Sequence, residues 1–372
     1  MRSMAGAGFE PGKSGARSHS FALATALTLV ISVPVATARP SLGEADLASM
    51  LYILREHPHG EGDAPPPVTV LDIGANKGVV GLKFLETFCT DSLASTIWPT
   101  LKAFGPEVLG WGNPRRQRDV LRLQEKRRFL TNETAQARFC PEVHFFEVAP
   151  GNAALLERVR ALHHYPAASF VVHRVGVGDK PGKLALYAGG AFQVGMEQAT
   201  LASLPAQTRD GTTAEVAQVP VISIDAWLEG RLPRELMGQS PERPPRWPLS
   251  QRRFTFIKID TEGYDLKVLR GMKGLLCARR ARVVQFEWLP KLWRLVPDYS
   301  STPLADAIAL GASCGYDAYA QDHSQPNRGW VSLSANRAAW AALLKVKGHS
   351  NIVLIERSDP LKKLVDHLLA AL

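Results

Sequence analysis

The sequence predicts an α/β fold in which a mostly parallel β-sheet is covered by helices on both faces. Short apolar segments alternate with segments of helical periodicity from Val68 onward. The first apolar segment runs into a glycine-spaced turn that opens a helix, and acidic residues end four of the predicted strands. Ligands of such sheets bind beyond the carboxyl ends of the strands. The same observations therefore predict a ligand site at that edge.

Composition limits the classes of protein to consider. A chain of 372 residues with 45% hydrophobic residues is long enough for one large domain with insertions, or for two domains. The formal net charge is +9, but the basic residues are dispersed except for the run Arg115–Arg128. No aromatic residue interleaves that run, which is more typical of a solvated helix face than of a nucleic-acid surface. We therefore expect no nucleic-acid partner.

Residues 1–38 have the pattern of a signal peptide or signal anchor. Basic residues precede the apolar run Phe21–Val33, and Ala36, Thr37 and Ala38 fit a signal-peptidase site. The run is shorter than the about 20 residues of a membrane span, which favours cleavage. We expect a place in the secretory pathway, in the Golgi or ER lumen or outside the cell. Membrane association through this segment and organelle targeting stay open as alternatives.

Two further features bear on the predicted localisation. Asn132-Glu133-Thr134 is a glycosylation acceptor sequence, usable only in the secretory lumen. The four cysteines lack C-x-x-C spacing, so we expect no zinc cluster and no metal site. We expect a disulfide between Cys89 and Cys140, which would tether the segment between them to the sheet. The alternative is four buried thiols.

The predicted domain spans residues 68–357. Residues 39–67 precede it as a short helix and a linker rich in proline and glycine, and residues 358–372 follow it as a C-terminal helix. Residues 90–139 are too many for an ordinary connection and form an insertion. The predicted strands are Val68–Ile73, Val143–Glu147, Ser169–Val175, Lys183–Tyr187, Val219–Ile224, Phe254–Asp260, Arg282–Glu287, Tyr316–Ala320 and Asn351–Glu356. The predicted helices between them are Gly78–Phe88, Asn152–His164, Tyr264–Cys277 and Leu304–Ser313.

The turn after the first strand resembles a dinucleotide fingerprint with one change. The fingerprint uses three glycines to bring a pyrophosphate close to backbone amides. Here Asn76 stands in place of the first glycine, before Gly78 and Gly81, and Asp72 directs a carboxylate at the turn. A carboxylate suits a positively charged ligand better than it suits a pyrophosphate. S-adenosylmethionine, with an ammonium and a sulfonium, fits better than a nicotinamide dinucleotide.

Four acids end predicted strands: Asp72, Glu147, Asp260 and Glu287. Glu147 ends the second strand, where this architecture places an acid that binds ribose hydroxyls. Its separation from the glycine turn is longer than usual, and the insertion explains the excess. The alternative for Glu147 is a helix-capping acid.

The longest recognisable motif is K-I-D-x-E-G-Y-D-x-x-V-L-x-G at Lys258–Gly271. Together with VLDIGANKG, FFEVAPGN, RVGVGD and VVQFE, it resembles the FkbM-type S-adenosylmethionine-dependent methyltransferases over most of residues 68–357. The resemblance implies a class I methyltransferase Rossmann-like fold with a seven-stranded sheet. It implies methyl transfer, commonly to an oxygen of a glycan or small metabolite. Val148 stands where the family commonly has proline, and the insertion has no counterpart that we can place.

The resemblance also implies residues that bind the cofactor. The methionine end would be lined by Asp72, Gly74, Ala75, Asn76 and Gly78. Glu147 would bind the ribose, and Asp179 would lie near the adenine.

Methyl transfer to a hydroxyl depends mainly on alignment, but a weak nucleophile also benefits from a base. Asp260 is the preferred base, since it ends a central strand. Lys258 points to the same face and would hold Asp260 ionised or orient the acceptor. The alternative is a Lys–Asp pair that only fixes the strand end. Glu287 is a candidate second carboxylate or metal ligand.

The remaining predictions concern aromatic residues and function. Trp288 and Trp293 would either stack on a sugar ring or pack in the core. His144 and His173 lie within strands and are expected to be core or edge residues.

The intact set of polar strand ends favours an active methyltransferase that acts on a glycan or small-molecule acceptor. The alternative is a secreted or Golgi binding module that keeps the fold without catalysis.

Overall fold

The computed structural model describes residues 68–76, 78–88, 141–162, 169–189, 199–201, 213–231, 252–296, 298–321, 330–334, 340, 343–344 and 349–370. The predicted signal segment 1–38, the linker 39–67 and the insertion 90–139 lie outside the described residues, as do the acceptor sequence at Asn132 and the predicted Cys89–Cys140 disulfide. Within the described ranges, no helix has the length and apolar character needed to span a membrane.

The described elements alternate along the chain as predicted. The strands are β1 Thr69–Ile73, β2 Glu142–Phe146, β3 Phe170–His173, β4 Gly176–Val177, β5 Gly182–Gly189, β6 Ala199–Thr200, β7 Thr213–Ile222, β8 Phe254–Ile259, β9 Ala281–Trp288, β10 Tyr316–Gln321, β11 Trp330–Ser332 and β12 Ser350–Glu356. The helices are α1 Val79–Phe88, α2 Pro150–Leu162, α3 Ile224–Leu228, α4 Asp265–Gly271, α5 Lys273–Cys277, α6 Pro290–Trp293, α7 Pro303–Ser313 and α8 Pro360–Ala370.

The larger sheet has the order β11-β10-β12-β9-β8-β1-β2-β3. The pairs from β9 through β8, β1 and β2 to β3 are parallel, whereas β12 is antiparallel to both β9 and β10. The predicted α/β class with a mainly parallel sheet is confirmed. The sheet has one strand more than the predicted seven among the described residues, because the short strand β11 pairs with β10 at the edge.

Strand order reverses between β1 and β8, since β2 and β3 extend the sheet in one direction and β8 and β9 in the other. Right-handed crossovers then place the helices of the two halves on opposite faces. Phe84 of α1 packs on Phe256 of β8 with ring centroids 5.0 Å apart. On the other face, Leu266 of α4 belongs to the same buried cluster as Leu71 of β1. A reversal of this kind leaves a crevice at the carboxyl ends of the strands.

A second, four-stranded sheet has the order β4-β7-β5-β6. Its main contact is the antiparallel pair of β5 and β7. The predicted strand Val219–Ile224 ends too late, because Ser223 caps a helix: its Oγ accepts a hydrogen bond from the Ala226 amide at 3.3 Å. The short helix α3 therefore follows β7 directly.

The predicted helix Tyr264–Cys277 is two helices, with Met272 between them. The carboxylate of Asp225, on α3, accepts hydrogen bonds from the amides of Gly274 and Leu275 at 2.7 and 2.9 Å. These amides open α5, so Asp225 supplies the N-terminal cap that starts a separate helix. The cap comes from a distant part of the chain, which the periodicity of the segment does not reveal.

A disulfide joins Cys277 at the end of α5 to Cys314 just after α7, with Cα atoms 4.1 Å apart. The alternative of four buried thiols is therefore wrong for these two cysteines. Their sequence separation of 37 residues gives no sign of the pairing. They meet because α4, α5 and α7 pack on the same face of the sheet.

Candidate active site

An open cleft lies at the carboxyl ends of β1, β2 and β8, where the strand order reverses. The cleft is lined by residues at the ends of the strands of the larger sheet and in the turns that follow them, together with Val175–Val177 and Leu201. The lining includes four of the predicted site residues: Gly74, Asn76, Glu147 and Asp260.

The turn between β1 and α1 requires unusual backbone angles. Gly74, Asn76 and Gly78 have φ of 71°, 50° and 72°. A Cβ on Gly74 would lie 1.9 Å from the carbonyl oxygen of Asp260, so only glycine fits. Asparagine is among the few other residues that adopt positive φ readily. The amides of Gly74 and Ala75 bond the carbonyl oxygen of Phe146 at 3.0 and 3.1 Å, which ties the turn to β2.

Asp72 lies beneath this turn and is completely buried. Its Oδ2 accepts a hydrogen bond from the Gly81 amide, in the first turn of α1, at 2.9 Å. Burial raises the pKa of Asp72, and the nearby Lys258 ammonium opposes that rise. The structure thus places Asp72 where it holds the turn and the helix together, and not on the cleft wall where the prediction placed a cofactor contact.

Glu147 connects the two turns that flank the cleft. Its Oε2 accepts a hydrogen bond from the Asn76 amide at 2.6 Å, and its Oε1 accepts one from the Ala149 amide at 2.7 Å. Burial raises the pKa of Glu147 to about 7, against the opposing effect of the two amides. The side chain lines the cleft and also binds the amide that precedes α2, so its position agrees with both the ribose and the capping interpretation.

Asn76 is fixed from a second direction. Its Oδ1 accepts a hydrogen bond from Nδ2 of Asn152, on α2, at 3.3 Å. Asn152 also lines the cleft. The residue that replaces the first glycine of a dinucleotide fingerprint is therefore a structural part of the cleft, held by its backbone and by its side chain.

Lys258 lies between two carboxylates. Its Nζ is 3.2 Å from Oδ2 of Asp260 and 3.5 Å from Oδ1 of Asp72, and it donates a hydrogen bond to the carbonyl oxygen of Gly74 at 3.2 Å. Burial alone would lower the pKa of Lys258, but the charges of Asp260 and Asp72 outweigh burial and raise it. Lys258 therefore stays protonated. The Asp260 side chain is 38% exposed and faces the cleft.

Sequence reasoning missed Asp265, which is completely buried at the start of α4. Its Oδ2 accepts a hydrogen bond from Oγ1 of Thr261 at 3.0 Å, and its Oδ1 accepts one from the Glu287 amide at 3.2 Å. Burial, reinforced by the charge of Asp260, raises the pKa of Asp265 to about 7. Its place in the motif at Lys258–Gly271 was the available signal.

Tyr299 was also missed, and no local pattern indicates it. Its hydroxyl donates to the carbonyl oxygen of Gly263 and accepts from the Lys267 amide, each at 3.2 Å. Glu262 has a positive φ of 51° and lines the cleft. The loop between β8 and α4, which lines the cleft, is thus held by Asp265 and Tyr299.

Other predicted residues take different places. Asp179 binds Lys267 at 3.3 Å and is not among the residues that line the described cleft. Trp288 and Trp293 are buried and pack edge to face at 5.0 Å, so they belong to the core and do not stack on a sugar. His144 and His173 bond each other at 3.0 Å within the sheet, where His144 is buried and His173 lies on the edge strand β3. No group of three or more metal-ligating side chains occurs in the described part of the chain.

The charged side chains that line the cleft fit S-adenosylmethionine as a ligand. The charged residues that line it in the described structure are Glu147, Asp260 and Glu262, all acidic. Acidic lining suits a ligand with ammonium and sulfonium groups, and Glu147 is placed to accept hydrogen bonds from hydroxyls. A pyrophosphate in the cleft would lie beside carboxylates of the same charge, and no cationic side chain is among the described lining residues to offset that charge. Gly74, Asn76 and Glu147 are the residues that would hold the cofactor, and Asp260 lines the cleft beside them.

The fold and this cleft define a ligand-binding α/β domain. The family model of the methyltransferase FkbM domain matches residues 247–317, which include Lys258, Asp260 and Asp265. The predicted resemblance is confirmed over that segment. Together these findings support, at the general level, a methyltransferase that uses S-adenosylmethionine. No curated protein matches the sequence significantly.

Several solved structures are similar in part. A methyltransferase FkbM from Methylobacillus flagellatus KT has 16% identity and a TM-score of 0.25; the match covers 63% of this chain but only 39% of that protein. A precorrin-6y C5,15-methyltransferase from Geobacter metallireducens GS-15 has 9% identity and a TM-score of 0.30, with coverage of 86% and 92%. The human methyltransferase 10 domain containing protein has 9% identity and a TM-score of 0.29, with coverage of 92% and 97%.

Proposed function

We propose that this protein transfers a methyl group from S-adenosylmethionine to a hydroxyl oxygen of a glycan or small metabolite. The observation that carries the proposal is the position of Asp260. Its carboxylate faces the cleft at the point where the strand order reverses, and Lys258 holds its other side at 3.2 Å. The FkbM match includes both residues.

The turn and Glu147 would bind the cofactor. The backbone of Gly74–Asn76 is fixed to β2 and to the Glu147 carboxylate. Bound there, S-adenosylmethionine supplies a methyl group on a positively charged sulfur that an acceptor oxygen can displace. A preformed cleft contributes by holding the reactants in line, since alignment supplies most of the acceleration of such a reaction.

Asp260 would act as the general base. A hydroxyl is a weak nucleophile, and a carboxylate within hydrogen-bond reach removes its proton as the new bond forms. Lys258 stays protonated beside Asp260 and orients the Asp260 carboxylate. The exposed face of Asp260 then returns the proton to solvent. Lys258 is a positioning residue in this scheme.

Calorimetry and turnover together test the proposal. We expect the full chain to bind S-adenosylmethionine, Glu147→Gln to weaken binding, and Asp260→Asn to retain binding while losing turnover by about 100-fold or more. Lys180→Gln is a matched control, since Lys180 is exposed and does not line the cleft. Lack of affinity for S-adenosylmethionine in the wild type would refute the proposal.

The acceptor is identified by labelling. Incubation with S-adenosylmethionine carrying a labelled methyl group, together with glycan, lipid and protein fractions from a lysate, shows which fraction takes up label. We expect uptake in glycans or small metabolites. Binding of the cofactor without label in any fraction would favour the alternative, a non-catalytic binding module that keeps the fold.

We also propose a place in the secretory pathway, in the ER or Golgi lumen or outside the cell. The Cys277–Cys314 disulfide supports it, because structural disulfides persist mainly in oxidising compartments. Fractionation of cells that express the protein with a C-terminal tag would test this localisation. A comparison of the molecular mass before and after glycosidase treatment would test whether Asn132 is glycosylated.

A further inference from the structure

Asp260 and Glu287 are neighbours across the sheet. Strands β8 and β9 are parallel and in register, with Ile259 opposite Phe286. The next pair in this register is Asp260 and Glu287, at the carboxyl ends of the two strands. Adjacent strands lie about 4.8 Å apart, and paired side chains share a face of the sheet. Two carboxyl groups therefore lie at the ends of adjacent strands, and that of Asp260 faces the cleft.

The surroundings of the two carboxyl groups differ. Asp260 is exposed to the cleft on one side and contacts Lys258 on the other. Glu287 is mostly shielded, and its backbone amide is bonded by Asp265. The groups that act on the Glu287 carboxyl are Asp260 on the neighbouring strand end, Asp265 on α4, Glu262 in the loop and Lys258 on β8. Three of the four are acids.

This environment favours the neutral form of Glu287. Burial, together with the charges of Asp260, Asp265 and Glu262, raises its pKa to about 9, although Lys258 opposes the rise. Two carboxylates in adjacent positions do not readily ionise together, so one of them keeps a proton. The ammonium of Lys258 lies on the Asp260 side of the pair and stabilises the negative charge there.

We propose that Asp260 and Glu287 form a carboxyl pair that shares one proton, with Glu287 as the protonated member and Asp260 as the member that takes the proton from the acceptor. The inference rests on the proposed methyl transfer. Glu287 acts through Asp260 and is a positioning residue.

The proton balance is simple. Before the reaction the pair holds one proton and one negative charge. The acceptor oxygen forms its bond to the methyl carbon, the carbon–sulfur bond breaks with its electron pair left on sulfur, and the hydroxyl proton passes to Asp260. The pair then holds two protons and no charge. One proton leaves to solvent through the exposed side of Asp260, which restores the starting state.

A titration of the ligand-free full chain tests the pair. With the side-chain carboxyl carbons of glutamate labelled with ¹³C, we expect one resonance that titrates near pH 9. It is absent in Glu287→Gln, and in Asp260→Asn it titrates lower by about one pH unit or more, because the main charge acting on Glu287 is gone. Asp298→Asn is the control and leaves the resonance unmoved, since the exposed Asp298 binds Lys267 instead.

Outcomes for the pair and for the proposed function can be told apart. A wild-type protein with no glutamate that titrates above pH 8, or an alkaline resonance unmoved in Asp260→Asn, would overturn the pair. If the pair is present, kcat has an inflection near pH 9 that Glu287→Gln removes; the same inflection in both proteins would overturn the role in proton uptake. Calorimetry with S-adenosylmethionine tests the proposed function independently, since the titration needs no cofactor.

Discussion

The ammonium of Lys258 lies 3.2 Å from Oδ2 of Asp260. Lys258 is in β8, and Asp260 follows two residues later, directly after the end of the strand. The same ammonium lies 3.5 Å from Oδ1 of the completely buried Asp72 on β1. One cation therefore compensates two carboxylates, one beneath the turn and one on the cleft wall. Loss of this cation would leave a charge in the sheet without compensation.

Lys258→Met should destabilise the protein by about 3–5 kcal/mol, the usual cost of removing one partner of a buried ion pair. The Asp72→Asn/Lys258→Met double variant should regain part of this loss, because the buried carboxylate is then neutral. Urea unfolding followed by circular dichroism measures both values.

Lys273→Met is the control for this comparison. Lys273 is an exposed residue at the start of α5, so its replacement should change stability by less than about 0.5 kcal/mol. Equal stabilities of Lys258→Met and the wild type would contradict a compensating role for Lys258.

Gly74→Ala should abolish binding of S-adenosylmethionine and destabilise the fold. Its positive φ of 71° disfavours any side chain, and a Cβ would lie 1.9 Å from a backbone oxygen at Asp260. Backbone cannot move aside as a flexible side chain would, so the turn or the end of β8 must shift. Calorimetry and urea unfolding report the two effects.

Gly182→Ala is the matched substitution. Gly182 is exposed at the start of β5, and a Cβ there would meet no atom within 4 Å. We expect no loss of cofactor binding and little change in stability. Normal binding by Gly74→Ala would show that the close approach of the turn to Asp260 is not required.

Local sequence patterns predicted most of the fold because each central strand is an apolar run flanked by turn residues. The Val68–Gly81 segment shows how far this reasoning reaches. Its strand, turn and helix appear as predicted, and Asn76 has a positive φ, as a glycine at that position could have. The pairing of Lys258 with Asp260 also follows from strand alternation.

Contacts between distant segments could not be predicted in this way. Asp225 caps α5 from another helix, Tyr299 holds the loop at Gly263, and Cys277 pairs with Cys314. Each depends on the packed arrangement of elements and leaves no periodic signal. Asp72 shows the same limit, since its position at a strand end indicated a ligand contact whereas packing placed it under the turn, against the Gly81 amide.

Loss of the Cys277–Cys314 disulfide in a Cys277→Ser/Cys314→Ser variant should destabilise the protein by about 2–4 kcal/mol. The disulfide closes a segment of 37 residues, and a loop of that length lowers the entropy of the unfolded chain substantially. Guanidinium unfolding of the variant and of the wild type gives the difference.

Peptide mapping without reductant provides the direct check on this disulfide. We expect a peptide containing Cys277 linked to one containing Cys314. The same map tests the predicted Cys89–Cys140 pair. Free thiols at both Cys277 and Cys314 would contradict the assignment, and the double serine variant should then match the wild type in stability.

His173, which lies in the sheet beside His144, should contribute to the dependence of stability on pH. His173 bonds His144 at 3.0 Å and stacks on Phe146. Burial, with the neighbouring His144, lowers the pKa of His173 well below 6.5. Below pH 6.5 the unfolded chain binds a proton at this residue that the folded protein does not, so the contribution of His173 lowers stability as the pH falls, by up to about 1.4 kcal/mol per pH unit. The buried acids Glu147, Asp265 and Glu287, whose pKa values are raised, contribute in the opposite direction over the same range. His173→Gln, which keeps a hydrogen-bonding side chain without this titration, should remove the His173 contribution, so that stability at pH 5 relative to pH 6.5 is higher in the variant than in the wild type. Urea unfolding at intervals across this range measures the slope, and equal slopes in the two proteins would assign the dependence to other groups.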